Sequence, residues 1–294
     1  MESSLQSVKS YMPFDSNTNI SDITFVAFDV ETTGLSPVAN RLVELSGVRF
    51  SQTRETFETF STLINPEVPI PKEVTKIHGI TDDMVTHSPR FKAAVSNFID
   101  WAGSECVFMA HNAGFDVEFL RVNLAKAGLP CPSNAVVDTL VLAREFLRDT
   151  PNHQLKTVVE HLGLPCGDYH RALADSVHVK DVFLSMAKNF QINRWDDLCM
   201  NGAVTKFDYD RFADDSYSSL PEKTMVVVNS IRKAIEKSLL VTMEYEGQYK
   251  SKRTVQPTAL IHSRGNIYLT AFCRRAQAER TFRVDRIANV KSVG

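Results

Sequence analysis

The chain has 294 residues, a hydrophobic fraction of 43% and a charged fraction of 23%. These values exclude a disordered chain, a collagen and a disulfide scaffold, and the length predicts about two domains at roughly 150 residues each. The formal net charge is −2, yet residues 220–294 hold 14 Lys and Arg against 6 Asp and Glu, while the remainder holds 19 against 29. Such asymmetry makes the basic end a candidate for anion or nucleic-acid contact, although two ordinary domains of differing pI would also produce it. No apolar run approaches the ~18 residues of a membrane helix, so no membrane partner is expected. The first twenty residues lack the apolar stretch of a secretory signal. Five cysteines without Cys-x-x-Cys spacing point to a reducing cytoplasm and to no zinc site built from cysteines.

Residues 1–22 are polar and read as a mobile tail. Residues 23–28 (ITFVAF) are short, β-rich and nearly all apolar, which predicts a buried strand. Residues 41–50 and 57–64 alternate in part, so the three segments together predict an antiparallel meander. Helical spacing follows over 91–101, 115–127, 136–146, 155–162 and 172–187, with a short strand at 106–110. Strands first, then strands alternating with helices, predict a mixed α/β domain around a central sheet over residues 23–190. Residues 191–224 are rich in Asp, Ser and Pro and read as an acidic linker with room for a short helix. Residues 225–294 predict one helix (225–238) and strands at 240–245, 254–262, 266–273 and 280–284, a small β-rich domain.

Asp29 and Glu31 sit two apart at the end of the first apolar run, in FDVETTGL. On a strand, that spacing puts both carboxylates on one face, where they repel and lose hydration. A divalent cation between them supplies the missing charge, and oxygen ligands suit Mg²⁺ or Mn²⁺. A strand end with both acids facing water would look the same. Asp116, in HNAGFDVEFL, falls near a helix start, where capping is an ordinary role for Asp. His170 and Asp175, in HRALADSVHV, converge only if His170 precedes the first helical turn, because five residues on a continuous helix would splay them by about 140°.

Taken together, these three strings resemble the DEDDh, or DnaQ-like, exonucleases, over roughly residues 23–190. The strings KIHGIT, VDTLVLARE and LKTVVEHLGL fit the same family. The resemblance implies a ribonuclease-H-like sheet and a 3′–5′ exonuclease that releases nucleoside monophosphates from single-stranded or 3′-ended DNA or RNA. It implies that Asp29, Glu31, Asp116 and Asp175 hold two divalent cations, Mg²⁺ or Mn²⁺, which clamp the attacking and leaving oxygens. His170 matches the family's general base, a role that suits an imidazole, which can both accept and release a proton. Thr32, Thr33 and Gly34 match the turn that touches the terminal nucleotide, and Leu35, His78, Asn112 and Phe115 are expected to shape its pocket. An oligoribonuclease acting on short RNA, or a regulatory protein that binds strand ends with little turnover, would carry similar motifs.

Residues 225–294 resemble a WYL domain, a small Sm- or SH3-like β barrel that binds nucleic acid or a nucleotide ligand. The name-giving tripeptide is Ile267-Tyr268-Leu269 here, so its first position departs from the family. Arg253, Val255 and Pro257 fit one further string, and Arg280, Phe282, Arg286 and Ile287 fit another. By this resemblance Arg253, Tyr268, Arg280, Arg283 and Arg286 are the expected contacts; if the strands pair as the family implies, Arg253, Arg280 and Arg286 surround one groove with Tyr268, where guanidinium forks and an aromatic ring suit phosphate and base.

Overall fold

A computed structural model describes residues 13–53, 56–167, 170–208 and 220–293. Its contacts divide the chain into two compact units. One holds residues 1–35, 40–117 and 132–209, and the other holds 36–39, 118–131 and 210–294. The first unit is built on a six-stranded mixed sheet. Strands β1 (Phe25–Thr32), β2 (Leu42–Phe50) and β3 (Glu58–Leu63) form the expected antiparallel meander. Strands β4 (Val107–Ala110) and β5 (Ala135–Asp138) then add in parallel beyond β1, and β6 (Val204–Lys206) closes the far edge antiparallel to β5. The sheet order is β3-β2-β1-β4-β5-β6.

Strand β1 is covered on both faces, which is why its sequence is nearly all apolar before Asp29. Phe25 and Ala27 share one face with a core that includes Val179, Val182, Phe183 and Met186. These four lie on α7 (Ala172–Asn189), at the three- and four-residue spacing of one helical stripe. Phe28 points the other way. It packs against Phe98 of α3 (Phe91–Ala102), Phe108 of β4 and Phe207, with ring centroids 5.5–6.1 Å apart. Opposite Phe28 in register stands Gly47. A Cβ there would lie 2.9 Å from Phe98 Cε2 and 3.1 Å from Trp101 Cζ3. Gly47→Ala is therefore expected to destabilise the protein by about 1–3 kcal/mol, read as a lower denaturant midpoint at unchanged slope.

The remaining helices of this unit are α1 (Lys72–His78), α2 (Asp82–Val85), α4 (Ala113–Ala127, shared with the second unit), α5 (Thr139–Phe146), α6 (Leu155–His161) and α8 (Trp195–Met200). Three expectations change. The helix predicted from residue 136 starts at Thr139, because Ala135–Asp138 are taken into the sheet as β5. The expected tail is held over its last ten residues: Ile20 is buried and Phe14 meets Trp195 edge-on at 5.1 Å. The expected linker supplies α8, with Trp195 fully buried, and the edge strand β6. Residues 1–12 and 209–219 of the expected tail and linker lie outside the described residues.

The second unit carries α9 (Glu222–Glu236) and five antiparallel strands. These are β7 (Leu240–Glu246), β8 (Lys250–Ser263), β9 (Asn266–Cys273), β10 (Ala278–Arg283) and β11 (Ile287–Val293). They run in the order β10-β9-β8-β7-β11. The buried face of α9, Val227, Val228, Ile231 and Ala234, joins Val241, Val255, Leu269 and Phe282 in one core. The last strand, β11, was not expected. Among the described residues no helix is long and apolar enough to cross a membrane, and all five cysteines are free.

Candidate active site

The face of β1 that begins as core ends as a site. Phe25 and Ala27 are followed on the same face by Asp29 and Glu31, so the run of apolar residues gives way to two carboxylates. The stripe of α7 behaves likewise. Phe183 and Val179 pack under the sheet, and one turn nearer the helix start is Asp175. Ligand oxygens of Asp29, Glu31 and Asp175 all lie within 4.8 Å of one another. Asp29 and Glu31 are internal to β1 rather than at its end, since the strand continues to Thr32.

Asp116 approaches from the other side of β1. It lies in the first turn of α4, which begins two residues earlier than the spacing predicts, so it is not a cap residue. Pairing of β4 with β1 stops at Ala27 and Met109. Further along, the Val30 N–H donates to Asp116 Oδ1 at 3.2 Å. That bond sets Asp116 beside the residue between Asp29 and Glu31.

His170 is exposed and precedes α7, as convergence with Asp175 requires. Its backbone has φ +65°, a left-handed conformation in which a histidine is strained. Its N–H donates to Asp175 Oδ2 at 2.9 Å. The residue that bears the imidazole is thus tied to a carboxylate of the cluster.

Burial and mutual repulsion push the acids up. Asp29 is raised well above the usual carboxylate range, first by burial and then by the charges of Asp116, Asp175, Glu31 and Glu44. Glu31 is pushed up to about 8 by burial and by Asp175 and Glu44, against a lowering effect of Arg171. Burial likewise raises Asp116 and Asp175. Folding has gathered charges that only a proton or a cation can neutralise, and the ligands are all hard oxygens. This arrangement fits divalent metal.

The residues expected at the substrate turn are ordered by local bonds. Thr32 Oγ1 donates to the Gly34 carbonyl at 2.7 Å, and Thr33 Oγ1 accepts from the Arg41 N–H at 3.0 Å. Gly34 has φ +152°, and a Cβ there would meet Asn40 at 2.8–2.9 Å. Beyond it, Leu35 is 78% exposed, an apolar side chain offered to solvent. His78, buried, accepts the Ile80 N–H at Nδ1 (3.0 Å), so the proton of the neutral ring sits on Nε2. Burial lowers its pKa, and the charges of Glu44, Arg171 and His170 act on it, which sets it near the carboxylates. Phe115 is half-buried on α4, and Asn112 is exposed at φ +69°.

Two further residues near the site, Glu44 and Arg171, escaped sequence reasoning, whereas Asp138 has the structural role at a helix start that its place in VDTLVLARE suggests. Glu44 on β2 faces Glu31 across the sheet and accepts a two-pronged bond from Arg171. Asp138 caps α5 through the Leu140 N–H and also accepts the Asn112 N–H at 3.0 Å, fixing the turn before Asp116. A carboxylate inside an apolar strand, as in RLVELSGVRF, is the signal that marked Glu44.

In the second unit the residues expected around one groove fall on two faces of the sheet. Arg280 pairs in register with Ala271 and Arg283 with Tyr268, three positions apart on β10. Alternation puts Arg280 on the face of buried Phe282 and Leu269, and Arg283 with Tyr268 on the other. Arg253 shares the face of buried Val255, its Nε donating to Ser251 Oγ at 3.1 Å. Arg283 is paired with Asp285 at 2.6 Å, while Arg286 is exposed in the turn before β11. Sequence strings cannot reveal register, which is what separates these side chains.

Comparison with known proteins agrees with this architecture. The profile described as Exonuclease matches residues 26–183, and the profile described as WYL domain matches residues 226–292. Part of the chain resembles DNA polymerase III PolC-type of Caldanaerobacter subterraneus subsp. tengcongensis, 35% identical over 167 residues, 57% of this chain and 12% of that protein. PolC-type polymerase of Staphylococcus epidermidis is 29% identical over 231 residues, 78% of this chain and 16% of its own length. The chain thus spans a small part of these relatives. Among solved structures, exonuclease X in complex with 5′ overhanging duplex DNA matches 60% of this chain and 99% of its own at TM-score 0.50 and 24% identity. A 3′-exonuclease described with a histone mRNA stem-loop matches 58% and 84%, at TM-score 0.53 and 18% identity. These likenesses are of fold, a mixed sheet of the ribonuclease-H-like exonuclease kind. The chain belongs to the exonuclease family of DEDDh type, and a WYL domain follows the exonuclease domain.

Proposed function

We propose that this chain is a metal-dependent 3′–5′ exonuclease that releases nucleoside monophosphates from the 3′ end of a nucleic acid. The observation that carries this reading is the convergence of Asp29, Glu31 and Asp175 within 4.8 Å, with Asp116 beside them and His170 at the rim. Asp29, Glu31, Asp116 and Asp175 hold two divalent cations, Mg²⁺ or Mn²⁺. Cations bound there supply positive charge to the phosphate and make water a better nucleophile at neutral pH. The chain's own groups do the rest. Asp116, fixed by the Val30 N–H, keeps its carboxylate turned to the cluster. The imidazole of His170 accepts the proton of the attacking water, and its exposure lets that proton pass to solvent. The turn Thr32–Gly34 receives the terminal nucleotide close to the backbone. Leu35, His78, Asn112 and Phe115 surround its base and sugar.

The WYL domain, in this proposal, holds the strand or a nucleotide ligand through its basic residues, with Arg253 and Arg280 on one face and Arg283 and Tyr268 on the other. The nuclease reading is tested with a 5′-labelled strand incubated with the full chain and Mg²⁺ or Mn²⁺. Shortening from the 3′ end with 5′-mononucleotides as product is expected, and no shortening of DNA or RNA of any length defeats it. The basic domain is tested by salt dependence. Arg280→Gln is expected to reduce the slope of log affinity against log salt by about 1. An unchanged slope across the arginine variants would remove nucleic-acid contact from this domain.

A further inference from the structure

Glu44 lies on β2 directly across from Glu31 on β1. Its neighbours Val43 and Leu45 are buried and apolar, and its own side chain is 2% exposed. An ionised carboxylate in such a place is costly unless donors surround it. Three do: Arg171 Nε at 3.2 Å, Arg171 Nη2 at 2.8 Å and the Ala172 N–H at 3.1 Å. All belong to the two residues that follow His170.

One acceptor would suffice to cap the first turn of α7. The two-pronged guanidinium contact goes further, because it fixes the plane and heading of the Arg171 side chain as well as its backbone. His170, immediately before, is held in a left-handed conformation that its sequence does not favour. Asp175 holds it through its own N–H, and Glu44 holds the next two residues. The strained residue is pinned from both directions by buried carboxylates.

We propose that Glu44 and Arg171 form a positioning pair that fixes the backbone beneath His170 and so aims its imidazole at the attacking water. The inference rests on the nuclease reading above. The pair acts through His170 and leaves strand binding and cation binding to other groups.

The test uses the full chain and the variants Glu44→Gln, Arg171→Met and Glu44→Gln/Arg171→Met, with Arg171→Lys as the conservative change. Glu44→Gln keeps an acceptor for the Ala172 N–H and breaks the fork. For the first three, kcat on a labelled single strand is expected to fall about 10–100-fold, with KM moving by less than about twofold. Mn²⁺ affinity, read by calorimetry, should stay within about twofold in the double variant, where acid and base leave together, and its loss of kcat should not exceed about that of the worse single variant. Amide hydrogen exchange over residues 170–172 should accelerate in all variants, and Arg171→Lys should restore part of the kcat. Unchanged kcat with a lowered Tm would reduce the pair to a prop for the helix. A raised KM at unchanged kcat would make Arg171 a strand contact, and either result overturns the proposal. The exchange measurement needs no turnover. Absent turnover in the wild-type chain defeats the nuclease reading, while unchanged exchange defeats the pair.

Discussion

Asp29→Asn is expected to lower exonuclease turnover by about 10³-fold or more on any 3′ end that the wild-type chain degrades. The substitution keeps shape and removes a charge. Asp29 is the acid most hemmed in by others, with Asp116, Asp175, Glu31 and Glu44 all acting on it. Losing its charge removes much of the attraction that draws cations to the cluster. His170→Ala, by contrast, removes the proposed proton acceptor and leaves the carboxylates intact, so a loss of about 10²–10⁴-fold is expected with cation affinity preserved. Initial rates on a 5′-labelled strand with Mg²⁺ or Mn²⁺ measure both. An Asp29→Asn variant that retains more than about a tenth of wild-type turnover would unseat the carboxylate mechanism.

The second large effect is one of stability. In the cation-free protein Glu31 titrates at about 8, against 4.5 for an ordinary glutamate, because burial and Asp175 disfavour its charge. Below 4.5 the group is protonated whether the chain is folded or not, and it costs nothing. As pH rises from 4.5 to about 8 the unfolded chain releases the proton and the folded chain keeps it, so stability is lost across that window. Above about 8 the penalty is constant. Its upper bound is on the order of 4–5 kcal/mol for this one residue. Asp29, Asp116 and Asp175 are raised too and act in the same direction. Thermal unfolding in chelator should therefore show Tm falling between pH 5 and pH 8. Adding Mg²⁺ or Mn²⁺ should raise Tm more at pH 8 than at pH 6, since cations bind the ionised acids. Glu31→Gln should flatten the profile. A chelated protein whose Tm is level or rises across that range would contradict the cluster's electrostatics.

The parts of the site most legible in the sequence are those where chemistry breaks a pattern. Two acids on one face of an apolar strand have no packing reason to be there, and Asp29 and Glu31 stand out for it. His170 and Asp175 were legible through their spacing, which demands a helix start between them, and α7 begins at Ala172. Where the pattern is too short, or two roles share one composition, reading fails. β5 has four residues and runs directly into α5, so its apolar residues look like a first helical turn. The acids of residues 191–208 suggest solvent, yet Asp197 accepts the N–H groups of Asn193 and Arg194 at 2.8 Å and starts α8. Glu44 and Arg171 are 127 residues apart, and only the fold joins them. The arginines of the basic domain depend on strand register, which no local string encodes.

Strand β6 sets a limit on how the protein can be cut. It lies beyond the region matched as exonuclease, which ends at residue 183, yet it pairs with β5 from Ala135 to Val137. Phe207, just after it, packs on Phe28 and Phe108. A fragment ending at residue 190 would bare the outer N–H and C=O groups of β5 and uncover two buried aromatic rings. Such an edge recruits strands from other copies. The shortest catalytic fragment that keeps its sheet closed therefore runs through residue 208, some 25 residues past the family boundary.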